Sequence, residues 1–376
     1  MKIAFTGGGS GGHFYPIIAV AEAVLALVKE ERLLGAELYY FSDSPFNERA
    51  LFEHNIAFRK IYAGKMRRYF SLLNITDLIK TFLGIIKALV AIFRLYPDVV
   101  MSKGGYASFP VVFAARLLGI PIVIHESDSV PGRVNLYAAR FAKRIAISFP
   151  SAAEYFPKDK VALTGNPIRS EILNIEREGA FEHFSLEKGL PVVLVLGGSQ
   201  GAVILNDILL DALPELLTTH QVIHQAGTKN IKIAKDTAEI VLPANQTRSR
   251  YKPFGYLNDL ELRMAAGAAD VVVSRAGSTI FEIAAWGLPS IIVPITDSNG
   301  DHQRKNAFTY AASGACSVIE EVNLSPHILI SEIKRITGDE NLKKILGEKA
   351  KAFARLDAAR KIAREIIDIA IEHEPN

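Results

Sequence analysis

Five glycines in six positions, Gly7-Gly8-Gly9-Ser10-Gly11-Gly12, lead directly into His13. Glycine lets the backbone take positive φ and come close to a ligand. A helix starting here would aim free N–H groups and a positive dipole end at phosphate. Gly7, Gly9 and Gly12 satisfy G-x-G-x-x-G, so a dinucleotide site with Asp43 on a ribose is one reading. That signature alone is weak, and a pyrophosphate cradle needs no imidazole. His13 could be a helix-start residue bonded to a backbone carbonyl. It also follows a strand's carboxyl end, where reacting groups gather, and imidazole accepts a hydroxyl proton near neutral pH. His13 is therefore the candidate general base.

A second glycine turn, Gly197-Gly198-Ser199-Gln200-Gly201, lacks that spacing. It still offers N–H groups and the Ser199 hydroxyl to a diphosphate, or is a tight turn with Ser199 as a helix cap. Ser274-Arg275-Ala276-Gly277-Ser278-Thr279 opens a helix bearing Glu282. That carboxylate could take both hydroxyls of a ribose, or be a solvated residue favoured by the helix dipole. The polar run from Pro294 to Gln303 leads into another helix, and Gln303 and Asn306 could bond sugar hydroxyls. Lys103-Gly104-Gly105-Tyr106, His125-Glu126-Ser127-Asp128 and Gly165-Asn166-Pro167-Ile168-Arg169 each follow a strand of the first half. There is no Asp-x-Asp pair, and His220 and His224 lie in a strand-like run, so no metal is expected in the chemistry.

Alternating short strands and helices must position these groups. Strands are expected at Lys2 to Thr6, Glu37 to Phe41, Val99 to Ser102, Ile122 to His125 and Arg144 to Ser148, with a helix from about Pro16 to Glu30. The pattern restarts at Val192 to Leu196, with partners at Val222 to Gln225, Val271 to Ser274 and Ser290 to Pro294. Helices are expected at Ala202 to Leu210, Thr279 to Ala285 and in the tail from about Asp339 to Glu372. The fold class is α/β, a duplicated plan of doubly wound parallel sheets whose ligands bind at the carboxyl ends of the strands.

Composition agrees. The chain has 376 residues, 49% hydrophobic and 22% charged, enough for two to three domains with large cores. Lys and Arg number 43 against 40 Asp and Glu, a net +3 that suits neither a nucleic-acid coat nor an acidic tail. One cysteine, Cys316, excludes a disulfide framework. Mean hydropathy is +0.19, high enough to suggest buried parallel strands or a surface that touches lipid. The longest apolar stretch, Phe82 to Phe93, is interrupted by Lys87, so no transmembrane helix and no signal peptide are expected.

The runs IAFTGGGSGGHFYP, SKGGYASFP, HESDSVPGRVN, GNPIR, VLGGSQGA, SRAGSTIFEIAAWGLPSIIVP and DHQRKNA occur in that order. Together they resemble the MurG family of bacterial UDP-N-acetylglucosamine transferases, glycosyltransferase family 28, from Lys2 to about Ala307. The resemblance implies a GT-B fold: two Rossmann-like doubly wound domains facing a central cleft. It assigns residues 1–167 to the acceptor and membrane, residues 168–354 to UDP-GlcNAc, and a helix at about 355–376 to the first domain. It implies inverting transfer of GlcNAc from UDP-GlcNAc to the C4 hydroxyl of MurNAc in lipid I, giving lipid II for peptidoglycan, with no cofactor. The site residues implied are His13 as catalytic, with Ser10, Gly11, Gly12, Asp128, Arg169, Ser199, Leu257, Gly277, Ser278, Thr279, Glu282 and Gln303 on UDP-GlcNAc. Glu126 and Asp128 are rival bases. Family members often carry Gln-Asn where this chain has Ser127-Asp128, so Asp128 offers an acceptor-only group.

Lipid I stays in a membrane, so the partners include an anionic membrane surface, and the expected location is peripheral, on the cytoplasmic face of the inner membrane. Arg67, Arg68, Tyr69, Phe70, Leu72 and Leu73 combine cations with apolar groups, as an anionic leaflet requires. The stretch Ile85 to Phe93 reads instead as a core helix. Nucleic acid is not expected as a partner. Other readings remain: a diacylglycerol glycosyltransferase of the same superfamily, an NAD-dependent oxidoreductase, and a non-catalytic UDP-sugar-binding module.

Overall fold

The apolar runs form strands buried on both faces. The computed structural model describes residues 1–65, 73–197, 202–242 and 246–373. It divides into two units, Met1–Arg169 with Arg355–Asn376, and Ser170–Ala354. The first unit holds strands β1 (Lys2–Thr6), β2 (Glu37–Ser42), β3 (Ile56–Lys60), β4 (Val99–Ser102), β5 (Ile122–Glu126), β6 (Arg144–Ile147) and β7 (Val161–Leu163). They pair in parallel in the order β3-β2-β1-β4-β5-β6-β7. The second holds β8 (Val192–Leu196), β9 (Gln221–Gln225), β10 (Tyr251–Phe254), β11 (Val271–Ser274), β12 (Ser290–Ile292) and β13 (Cys316–Val318). Their order, β10-β9-β8-β11-β12-β13, is also wholly parallel. The second sheet thus runs 3-2-1-4-5-6 in its own count, the first adds a seventh strand to that order, and in each the strand order reverses beside the first strand. That switch point is where such sheets open a crevice for ligands.

The first helix spans Gly11–Glu30, five residues longer at its start than the apolar periodicity suggests. Its length and apolar composition match those of a membrane span, a pattern that a buried core helix shares. Most of it is buried, and Phe14, Ile17, Ile18, Val24 and Leu27 pack into the core of the first unit. Ile362, Ile366 and Ile367 of the last helix, Ala358–His373, join the same core. Arg360 with Glu30 and Arg364 with Glu31 form ion pairs along that seam. These pairs are exposed and screened, so the apolar face holds the helix in place.

The helix Leu73–Leu95 departs from its expected role. Ala88 and Ile92 are buried, and Gly84 lies so close to the Tyr62 carbonyl that any Cβ there would clash. Ile75, Leu78, Ile79, Phe82, Leu83, Ile86, Val90 and Phe93 are exposed. The core reading of Ile85 to Phe93 is therefore right for one face only. The polar segment before it, with Arg67, Arg68, Tyr69, Phe70 and Leu72, lies outside the described residues, as does the side chain of Leu73.

Candidate active site

At the switch of the first sheet, β1 delivers the glycine turn and β4 delivers Lys103 to Tyr106. Tyr40 anchors the turn by donating from its hydroxyl to the Gly7 carbonyl at 3.0 Å. Gly105, at φ +82°, approaches so closely that a Cβ would sit 3.0 Å from the Gly8 carbonyl. Tyr106 packs against Gly9 and hydrogen-bonds through its hydroxyl to Asp43. Asp43 thus has a local role in supporting the glycine turn, where the dinucleotide reading had it on a ribose.

Ser10 precedes the helix in an extended conformation and its Oγ lies 3.0 Å from Nδ1 of His13, one turn on. His13 is half-buried, so the ring is held yet reachable. Gly11 and Gly12 complete the first turn.

The turn after β5 adds a buried polar cluster. Glu126 accepts from the Asp128 N–H at 3.0 Å, the Gly132 N–H at 3.0 Å and the Asn135 side-chain amide at 2.9 Å. Lys103, 2% exposed, donates from Nζ to Ser127 Oγ at 2.8 Å. Burial pushes the Lys103 pKa down, against Glu126 and Asp128. Burial and Asp128 push the Glu126 pKa up, against Lys103. His125 is fully buried, and burial reinforced by Lys103 holds its pKa well below the ordinary value. Arg169 closes the unit, its guanidinium stacked 3.8 Å from the ring centre of Tyr15. Sequence reasoning had noted Lys103 and Glu126 as strand-end residues but missed their connection through this turn. A lysine before paired glycines was the available signal.

In the second unit, Ser199 lies outside the described residues. Leu257 follows β10, is buried, and its N–H donates to the Gln225 side chain at 3.0 Å. Gly277 and Ser278 lie between β11 and the helix Thr279–Trp286, which Thr279 opens and which carries Glu282 in its first turn. Gln303 opens the helix His302–Ala312 and accepts from the Ile295 N–H at 3.2 Å. Asn306 on that helix donates to the Ala276 carbonyl at 3.1 Å, tying the loops after β11 and β12. Arg275 supports them too, donating to Val293 O at 3.3 Å and to Glu321 at 2.5 Å. Among the described candidates, Gly277, Ser278, Thr279, Glu282 and Gln303 follow the adjoining strands β11 and β12, while Leu257 follows the edge strand β10.

Two wholly parallel sheets of Rossmann order, one in each unit, define the fold class as GT-B. The sequence narrows it. Residues 3–147 match the glycosyltransferase family 28 N-terminal domain and residues 192–366 the family's C-terminal domain. The chain belongs to glycosyltransferase family 28. It is 36% identical over 358 residues to the UDP-N-acetylglucosamine--N-acetylmuramyl-(pentapeptide) pyrophosphoryl-undecaprenol N-acetylglucosamine transferase 2 of Bacillus anthracis, covering 93% of this chain and 96% of the relative. The UDP-N-acetylglucosamine--N-acetylmuramyl-(pentapeptide) pyrophosphoryl-undecaprenol N-acetylglucosamine transferase of Halothermothrix orenii is 36% identical over 379 residues, covering 98% of this chain and 99% of the relative. Among solved structures, Acinetobacter baumannii MurG superposes with a TM-score of 0.72 at 26% identity, covering 98% of this chain and 99% of that one.

Proposed function

We propose that this protein transfers GlcNAc from UDP-GlcNAc to the C4 hydroxyl of MurNAc in lipid I, forming lipid II for peptidoglycan. The observation that carries this is end-to-end similarity to enzymes named for that transfer. In this reading the first unit handles the acceptor and the second the nucleotide sugar. Glu282 takes the ribose hydroxyls, Gln303 the sugar, and the Leu257 backbone the uracil. Gly277, Ser278, Thr279 and Ser199 receive the diphosphate, while Ser10, Gly11, Gly12, Asp128 and Arg169 act from the first unit.

The reaction inverts the anomeric centre in one displacement. As the acceptor oxygen attacks the anomeric carbon, its proton passes to His13 and the bond to UDP breaks. For His13 to act as base, Nδ1–H donates to Ser10 Oγ and Nε2 keeps its lone pair. Helix N-terminal N–H groups stabilise the charge that develops on the departing diphosphate.

The acceptor's lipid requires a visit to the membrane, and this reading puts the enzyme peripherally on the cytoplasmic leaflet. The exposed apolar stripe of the helix Leu73–Leu95 supports that contact, with Leu78 72%, Phe82 62% and Phe93 66% exposed. Lys80, Lys87 and Arg94 on the same helix supply the cations that anionic lipid attracts.

The test is UDP release by the purified protein. Release is expected only with UDP-GlcNAc and lipid I together. Release with diacylglycerol in place of lipid I would favour the other lipid transferase, and absence of release with lipid I would overturn the assignment.

A further inference from the structure

Lys103 has no part in the reaction just described, yet it occupies the centre of the first unit's switch point. Its backbone N–H donates to the Thr6 carbonyl at 2.8 Å, joining β4 to the end of β1. A Cβ on Gly7 would lie 3.2 Å from Lys103 Cβ, so the side chain packs beneath the glycine turn. The next two residues, Gly104 and Gly105, both take φ of +82°, and Gly105 approaches the His13 ring. From this position the ammonium reaches Ser127 on the turn after β5. One buried residue therefore touches the β1 turn that leads to His13 and the β5 turn that carries Asp128.

A buried ammonium is costly unless anions compensate it. Here they are Glu126 and Asp128, both interacting electrostatically with Lys103. Glu126 is the hub of the turn: its two oxygens together accept three hydrogen bonds, from Asp128, Gly132 and Asn135. Three donors converge on a carboxylate, so protonating Glu126 replaces charge-assisted hydrogen bonds by weaker neutral ones and loosens the turn.

We propose that Lys103 is a positioning residue for the transfer reaction: its buried ammonium holds the Glu126-centred turn, and with it Asp128, in the conformation that meets the substrate. The inference rests on the proposed GlcNAc transfer. It also gives a physical reason for the pairing of Ser127 and Asp128 in this chain. The Ser127 hydroxyl accepts from the ammonium, and the ammonium offsets the second carboxylate. Among the described residues, the charged groups that act on Glu126 are Lys103 at the end of β4 and Asp128 on the turn, and the buried His125 precedes it on β5. Lys103 draws the Glu126 pKa down, while burial and Asp128 raise it. Removing Lys103 therefore moves protonation of Glu126 towards neutral pH, and removing Asp128 moves it back.

The experiment compares wild type, Lys103→Met, Asp128→Asn and the double variant, each assayed for UDP release with lipid I from pH 5.5 to 9. Lys103→Met is expected to shift the acidic limb of kcat/KM upward by about one pH unit or more, the size of a close charge effect. In the double variant the limb should return part of the way. If Lys103→Met does not fold, the double variant, which removes one charge of each sign, is read against Asp128→Asn alone. Its limb should then lie above that of the single variant. An acidic limb unmoved by loss of Lys103 in either background would overturn the proposal, since a purely structural lysine would lower activity evenly across pH. Absence of transfer in wild type would instead reject the enzymatic reading itself.

Discussion

The hydroxyl of Ser10 stands 3.0 Å from Nδ1 of His13, across the first turn of the helix that follows the glycine run. This contact orients the imidazole from within a single turn of chain, so it needs no distant partner. If His13 is the base, His13→Ala should lose roughly 10²–10⁴-fold in kcat, the usual contribution of general base catalysis. Affinity for UDP-GlcNAc should barely change. Ser10→Ala removes one hydrogen bond, typically about 1 kcal/mol, and should cost roughly fivefold in kcat. Steady-state kinetics with lipid I checks both. A His13→Ala enzyme of near-normal kcat would move the role to Asp128 or Glu126.

Glu282 sits in the first turn of the helix Thr279–Trp286, where the dipole favours a carboxylate. If it takes the ribose hydroxyls, Glu282→Ala removes charge-assisted hydrogen bonds and should weaken UDP binding by roughly 1.5–3 kcal/mol. Calorimetric titration with UDP alone isolates this step from the acceptor. Unaltered affinity would take Glu282 out of the nucleotide site.

The central strands were legible because a parallel sheet buries both faces of a strand, so β1, β4, β8 and β11 read as unbroken apolar runs. Four strands were given no bounds: β3, β7, β10 and β13, with β7 only implied by the run at Gly165. All are edge strands, and their sequences IAFRK, VAL, YKPF and CSV are short, charged or interrupted by proline. The candidate residues stood out in the sequence wherever a motif follows a central strand. Lys103 shows the limit. Its residue type was plain, but its value comes from Ser127, 24 residues away, and only the pairing of β4 with β5 brings the two together. Likewise the helix Leu73–Leu95 carries apolar residues on opposite faces, and composition does not reveal which face the fold covers.

That exposed face makes the membrane contact testable. Replacing both Leu78 and Phe82 by serine removes two large side chains from the stripe without touching buried Ala88 or Ile92. An apolar side chain transferred from water contributes about 1.5–3 kcal/mol when fully buried, and partial insertion gives less. The double variant should bind anionic vesicles at least about tenfold more weakly, or about 1.4 kcal/mol. Turnover of a short-chain, water-soluble acceptor should stay near wild type. Undiminished vesicle binding would shift the contact to another surface.

Acid stability offers a test on the second unit. His224 lies within β9, its Nδ1 2.8 Å from the Tyr251 hydroxyl and its Nε2 3.0 Å from Asn206 Oδ1. Nε2–H donates to Asn206 while Nδ1 accepts from Tyr251, so the neutral ring satisfies both neighbours. Burial lowers its pKa to about 3. In the unfolded chain a histidine takes a proton near pH 6.5. Between these values unfolding takes up a proton, so His224 removes stability as pH falls, by about 1.4 kcal/mol per pH unit. Its contribution is complete above pH 6.5. His224→Gln should lower stability at pH 7, because the two neighbours lose an ideal partner, yet make the decline between pH 6 and pH 4 shallower by about one proton. His125, also buried and held well below its ordinary pKa, should leave the acid response of the first unit intact. Trp286, the chain's one tryptophan, is buried in the second unit and reports on that unit by fluorescence. Urea unfolding followed at Trp286 across this pH range should show the shallower slope. A slope equal to wild type would mean that His224 takes up its proton in the folded state and that the Asn206 and Tyr251 bonds do not hold it neutral.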